Sequence, residues 1–218
     1  MLENSKDFPT NKEEVIHYYK MAIYKGNSYA MNSYAYMLEN SEDFPTNKEE
    51  VIHYYKMAID KGNSYAMYNY AYMLYHGIGI DKNYEEAARY FKMAANLGHS
   101  LAIRSYVDML KREEAVESDT KEATRYYKMA ADKGDVDSMK IYADKTFETN
   151  KEESIRYYKM AIEEGSTDSM NSYAFILQQS SEFPSNKEEV IRLYKMAIDR
   201  ENFNKDAMYN YAYFMEQR

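Results

Sequence analysis

Glutamate pairs, histidines and tyrosines are the residues of this chain whose types and spacing could do chemistry. A pair such as Glu49-Glu50 offers the two carboxylates an acid–base site would need. It falls, however, in the first turn of a capped helix, where capping and the helix dipole already account for it. His17 and His53 occupy one repeat position 36 residues apart, and His76 and His99 lie in loops. They form no His-x-x-x-His or His/carboxylate cluster with metal-ligand spacing. Cysteine is absent, which removes a thiolate nucleophile, a disulfide framework and a Cys-based zinc site. No Ser/Lys or Ser/His arrangement stands out that would activate a nucleophile. Tyrosine remains, with 26 copies and no tryptophan.

The tyrosines must be positioned by helices, and the chain writes the same helix repeatedly. The stretch from Asn47 to Gly62, NKEEVIHYYKMAIDKG, recurs six times with light editing. Its Lys-Met-Ala core begins at Lys20, Lys56, Lys92, Lys128, Lys159 and Lys195, a spacing of 36 residues with one interval of 31. A fixed period of that size marks a stacked repeat array. Asn11, Asn47, Asn83, Asp119, Asn150 and Asn186 are each followed three residues later by glutamate, the spacing of a capping box. Gly26, Gly62, Gly98, Gly134 and Gly165 follow the far end, where glycine takes the left-handed C′ conformation without steric cost. The last copy has Glu201 and Asn202 instead.

Before each capped helix, here called B, lies a second helical stretch, A, typified by Ser64 to Tyr75. Its buried stripe is Ala30, Tyr34, Leu38 and their repeats; that of B is Val51, Tyr55, Ala58 and theirs. The order is an orphan B helix (about 11–25), A–B pairs at about 28–62, 64–98, 100–134, 136–165 and 167–201, and a closing A helix at about 206–217. The expected fold is therefore all-α: a single right-handed α-α superhelical solenoid of stacked antiparallel helix pairs over 1–218, with about twelve helices. A helix of a dozen residues is only about 18 Å long and depends on its neighbours for stability. Phe8-Pro9, Phe44-Pro45 and Phe183-Pro184 are expected to end A and plug the gap before B. The missing five residues between Thr146 and Asn150 predict a shortened A helix or a tighter turn there.

One face of A is left over by this core, at positions i, i+3 and i+7. It carries Tyr29, Asn32 and Tyr36, then Tyr65, Tyr68 and Tyr72, then Arg104 and Asp108, Lys140 and Asp144, Phe175, and finally Tyr209 and Tyr213. If the A helices line the concave side, these rows form a groove whose tyrosines supply wide contact and a polar tip at low entropic cost. The alternative is that the tyrosines stack on one another between repeats and the Arg/Asp and Lys/Asp pairs are ordinary i, i+4 supports.

Formal net charge is −8 with no basic run, which argues against nucleic acid as a partner. No apolar stretch nears the roughly 18 residues a membrane helix needs, and the first residues lack a secretory leader's pattern. The absence of cysteine favours a reducing compartment, cytoplasmic or nuclear, and not secretion. Met1-Leu-Glu-Asn4 matches Met37-Leu-Glu-Asn40, so the chain opens inside a repeat.

The pattern resembles the Sel1-like repeat family, a tetratricopeptide-like group. The second pair shows it most fully: Ala66, Tyr70-Ala71, Gly77-Ile-Gly79-Ile80, Glu86-Ala87, Tyr90-Phe91, Ala94-Ala95 and Gly98. The long A–B loop separates it from tetratricopeptide repeats proper. Elsewhere most loops lack Gly-x-Gly, and the family's helix-A glycine is Ala35, Ala71, Val107, Ala143, Ala174 or Ala212. The resemblance implies a non-catalytic scaffold or adaptor binding a protein or peptide segment, without cofactor or metal. It also admits a spacer or oligomerisation module fused to other domains, and a β-lactamase-like hydrolase; the hydrolases it brings to mind are disulfide-rich, which this chain is not.

Overall fold

In the computed structural model of the protein, residues 12–40, 47–114, 120–179, 187–200 and 204–216 are described. Among them are twelve α-helices and no strand: α1 (Lys12–Tyr24), α2 (Ser28–Asn40), α3 (Lys48–Asp60), α4 (Ser64–His76), α5 (Tyr84–Asn96), α6 (Ser100–Arg112), α7 (Lys121–Ala131), α8 (Val136–Thr146), α9 (Lys151–Glu163), α10 (Thr167–Gln179), α11 (Lys187–Asp199) and α12 (Lys205–Glu216). The chain divides into two compact units, Met1–Glu117 and Ser118–Arg218. The third expected pair, α6 and α7, falls on either side of that division. In unit 1, α2 packs on α3, α4 on α5 and α5 on α6; in unit 2, α7 packs on α8, α8 on α9 and α10 on α11. This is the stacked helix-pair architecture that the period implied.

The B helices begin where the Asn caps predict. The side chains of Asn47, Asn83 and Asn150 accept from Glu50, Glu86 and Glu153 backbone N–H groups at 3.3, 2.9 and 3.2 Å. The reciprocal half of the box is replaced. Asn83 N–H donates to Leu74 O (3.0 Å) and Asn150 N–H to Thr146 O (2.7 Å), so the preceding A helix, and not the glutamate, receives the cap's amide. The fourth cap is a correction: α7 starts on Thr120, whose hydroxyl accepts from Ala123 N–H at 3.0 Å, one residue after Asp119. Asp119 itself, Asn11, Asn186 and the three Phe-Pro plugs lie outside the described residues. At the B-helix ends Gly62 and its equivalents hold positive φ, 76° at Gly62 and 93° at Gly134.

A second set of caps starts the A helices. Asn27, Asn63, His99, Asp135, Ser166 and Asn204 each accept from the N–H three residues on, at 2.7–3.2 Å. His99 is thus not a loop residue but the cap of α6, through Nδ1.

The core is the two stripes. Tyr55, Ala58, Ala66, Ala71, Ala87, Ala94 and Tyr158 are fully or almost fully buried, and so is Val107. Alanine against tyrosine lets the helices approach closely. In the short repeat α8 has 11 residues against 13 in α4, and the turn to α9 is closed by a buried contact between the Thr146 and Ser154 hydroxyls at 2.8 Å. Both shortening and tightening therefore absorb the deletion. The stripe fails at α12, where Ala207 is buried but Tyr211 is half-buried and Ala212 exposed.

Candidate functional site

The free faces of the A helices separate into an inner row that is structural and outer rows that are not. In the inner row, Asn69 donates to Asn32 at 3.0 Å, and the Tyr68 hydroxyl reaches Ser105. In unit 2 Asn210 donates to Asn171, again at 3.0 Å. A residue two places after the buried alanine-type position on one A helix is thereby tied to the residue three places after it on the next. This ladder includes Asn69, Ser105 and Asn210, which periodicity alone passed over. Their signal was available as a shared repeat position beside the selected residues.

Tyr68 belongs to that ladder more than to a ligand surface. It is half-buried, stacks on His99 at 5.0 Å between ring centroids and lies 5.7 Å from Phe91. Burial pushes its hydroxyl's pKa up, while Ser105 opposes the shift. Burial likewise lowers His99, which accepts a backbone N–H and therefore needs its imidazole neutral.

The outer rows of unit 1 are open. Tyr29, Tyr36, Tyr65 and Tyr72 expose 66, 55, 53 and 41% of their surface. Tyr29 and Tyr65 touch across the repeat boundary at 6.3 Å, Tyr65 sits edge-on to His99 at 4.8 Å, and Tyr72 lies 4.2 Å from His76. Rings thus meet between repeats, while Tyr29, Tyr36 and Tyr65 still turn more than half of their surface to solvent. Asn32 and Tyr36, with Tyr19, Ser33, Met37 and Asn40, line a shallow open recess of about 500 Å³. On α6, Arg104 is exposed and Asp108 half-buried, and no ion pair joins them among the described residues. The i, i+4 expectation is therefore not met there, since spacing permits such a pair without compelling it.

In unit 2 the chemistry changes. Lys140 and Asp144 do pair, at 2.7 Å, and Asp144 also accepts the Tyr158 hydroxyl from beneath. Asp144, Asn171, Ser172, Phe175, Ile176 and Asn210 line a shallow recess of about 360 Å³. Phe175, Tyr209 and Tyr213 are exposed, and the rings of Tyr209 and Tyr213 lie parallel at 6.5 Å. Among the described residues no group of three His, Cys, Asp or Glu side chains could hold a metal ion, and no helix is long and apolar enough to cross a membrane.

Helix pairs of this length, capped and closed in this way, define an α-helical repeat protein. The chain belongs to the Sel1 repeat family, whose profile matches residues 1–27, 28–63, 64–99, 109–135, 146–166 and 205–217. Sel1 repeats are generally protein–protein interaction scaffolds. Among solved structures it is similar to a protective antigen of uropathogenic Escherichia coli strains that displays an SLR fold, at 20% identity and a TM-score of 0.65, over 93% of this chain and 44% of that one. It is also similar to a Sel1 repeat protein from Oxalobacter formigenes, at 24% identity and a TM-score of 0.49, over 85% of this chain and 76% of that one. The chain thus spans under half the length of the antigen. No curated protein matches it in sequence.

Proposed function

We propose that the chain is a non-catalytic interaction module whose unit 1 binds a peptide segment of a partner protein on the free faces of α2 and α4. The observation that carries this is the quartet Tyr29, Tyr36, Tyr65 and Tyr72, four large rings exposed on neighbouring helices whose spacing is fixed by the Asn32–Asn69 bond. Rings held in place before a partner arrives lose little entropy on binding. On unit 2, Phe175, Tyr209 and Tyr213, with the Lys140–Asp144 pair, form a more polar counterpart for a second contact.

Panning a random peptide display library against the immobilised chain tests this reading. The wild type is expected to enrich a consensus that the triple variant Tyr36→Ala, Tyr65→Ala, Tyr72→Ala no longer retains, while its helical circular dichroism stays unchanged because all three rings are exposed. Enrichment of the same peptides by both proteins, or of none by either, would refute the assignment. Tyr68 is left intact because its substitution would loosen the repeat stack itself.

A further inference from the structure

Within unit 1 the A helices α2, α4 and α6 begin on equivalent residues 36 positions apart, Asn27, Asn63 and His99. Each is a cap that accepts the N–H three residues on, at 3.0, 3.0 and 3.2 Å, and asparagine is among the best residues for that place. An amide keeps its accepting oxygen at every pH. An imidazole accepts through Nδ1 only while that nitrogen carries no proton, and once the ring is protonated both nitrogens are donors. The third A helix of unit 1 thus starts on a cap that acid can cancel.

The two kinds of cap also reach the preceding A helix differently. Asn63 donates its side-chain amide to the Ser28 hydroxyl of α2 at 3.4 Å. His99 has no amide and meets α4 with its ring: Tyr65 stands edge-on to it at 4.8 Å, and Tyr68 lies nearly parallel at 5.0 Å with an interplanar angle of 22°. From α5, the Ala94 carbonyl accepts the His99 N–H at 3.2 Å, and Phe91 backs Tyr68 at 5.7 Å. One imidazole therefore sits where α4, α5 and α6 meet. The titratable groups facing it are those two tyrosines, and phenols stay uncharged through the range in which imidazole titrates. Burial alone lowers its pKa, with no carboxylate or ammonium of α4, α5 or α6 contributing to the shift. A proton there is opposed twice more, by the Ala102 N–H at 3.2 Å and by the positive end of the α6 dipole.

We propose that His99 is an acid-released cap: its protonation unfastens the first turn of α6 and loosens the joint between α4, α5 and α6 in unit 1. Because the folded state disfavours the proton, the cap's contribution is complete above the ordinary imidazole value of 6.5 and is lost as pH falls from there through the folded value. The asparagine caps of α2 and α4 are untouched by the same change. Tyr65 belongs to the exposed quartet, so acid also weakens peptide binding on unit 1, a consequence that rests on the function proposed above.

Amide hydrogen exchange followed by NMR on the 218-residue chain reads the joint itself, so a failed peptide assignment leaves its result standing. The quantity measured is the ratio of exchange at Ala102, capped by His99, to exchange at Ala66, capped by Asn63, in which the common pH dependence of exchange chemistry cancels. Between about pH 7.5 and about pH 5 the ratio is expected to rise about fivefold, the loss of one cap. In His99→Asn, which copies the cap of α4, the ratio is expected to stay flat. In the wild type the His99 ring signals are expected to titrate below 6.5. A ratio that stays flat in the wild type, or rises equally in His99→Asn, overturns the proposal. So does a His99 ring that titrates at or above 6.5, a measurement that needs no variant.

Discussion

Two carboxylates, one in each unit, receive a tyrosine hydroxyl in nearly the same way and respond in opposite directions. In unit 1, Glu39 accepts from Tyr55 at 2.7 Å, and its pKa is raised because burial outweighs that hydrogen bond. In unit 2, Glu153 accepts from Tyr142 at 2.9 Å and from Lys128 at 2.6 Å, and its pKa is lowered, first by Lys128 and then by Tyr142. The difference teaches that burial sets the sign: Glu39 lies deeper, where desolvation outweighs its hydroxyl donor, whereas Glu153 is less buried and its two hydrogen bonds, the one from Lys128 first, outweigh desolvation. The same contrast runs through the contact positions. Unit 1 uses Ala30, Ala66 and Ala102 where unit 2 uses Ser138, Ser169 and Ala207, and the two buried hydroxyls find no partner among the described residues. Unit 1 closes its seams mainly with shape and rings, unit 2 with polar groups.

The contrast can be broken or sharpened by substitution, with urea unfolding as the measure. The largest effect is expected from Ala58→Leu in α3, in the seam below the Glu39 joint: Ala58 is fully buried, and overpacking costs about 1–3 kcal/mol. Unchanged stability would place Ala58 outside the seam. Next comes Tyr55→Phe, which leaves Glu39 without its donor and costs about 1–2 kcal/mol, while Tyr142→Phe costs less because Lys128 still holds Glu153. Equal losses would erase the distinction.

Ser138→Ala or Ser169→Ala is expected to stabilise unit 2 by about 1 kcal/mol, by removing an unpaired buried hydroxyl in favour of the better helix former. Lys128→Met follows, with a loss of about 0.5–1 kcal/mol at neutral pH, since the pair is partly solvated. Its pH signature is more diagnostic. Glu153's folded pKa is depressed, so its contribution is present above the ordinary value of 4.5 and lost as pH falls through the folded value. That acid-dependent loss should shrink in the variant. Glu39 has the reverse sign: its folded pKa is raised, so acidification toward 4.5 adds stability. The smallest change is Glu39→Gln, neutral within about 0.5 kcal/mol or slightly stabilising at neutral pH, because an amide oxygen can still accept from Tyr55. Gln178 already does this for Tyr194 at 3.0 Å. A clear loss would show that the charge on Glu39 matters.

The repeat, its caps and both stripes could be read from residues because each rests on local spacing. Asn83 three residues before Glu86 announces a helix start whatever surrounds it. What spacing could not supply was competition among equally good local solutions. Asp119 and Thr120 both qualify as caps, and Thr120 is the one whose carbonyl and hydroxyl both meet the helix, at Thr124 and Ala123. The glycine after each B helix read as a stop, which hid the cap immediately behind it, His99 included. The outer face suffered most. Lys140–Asp144 and Arg104/Asp108 share a spacing but not an outcome, and Tyr68 looks like Tyr72 in sequence although His99 and Phe91 claim its ring.

That α1 and α3 are the same peptide but for one residue bears on how the chain finds its register. A refolding α4 meets two nearly interchangeable docking candidates, and sequence similarity gives it little reason to prefer the correct one. Chain connectivity must choose, since the nearer segment closes the smaller loop at lower entropic cost. Slipped species that skip a whole hairpin are therefore the kinetic traps to look for when this protein refolds.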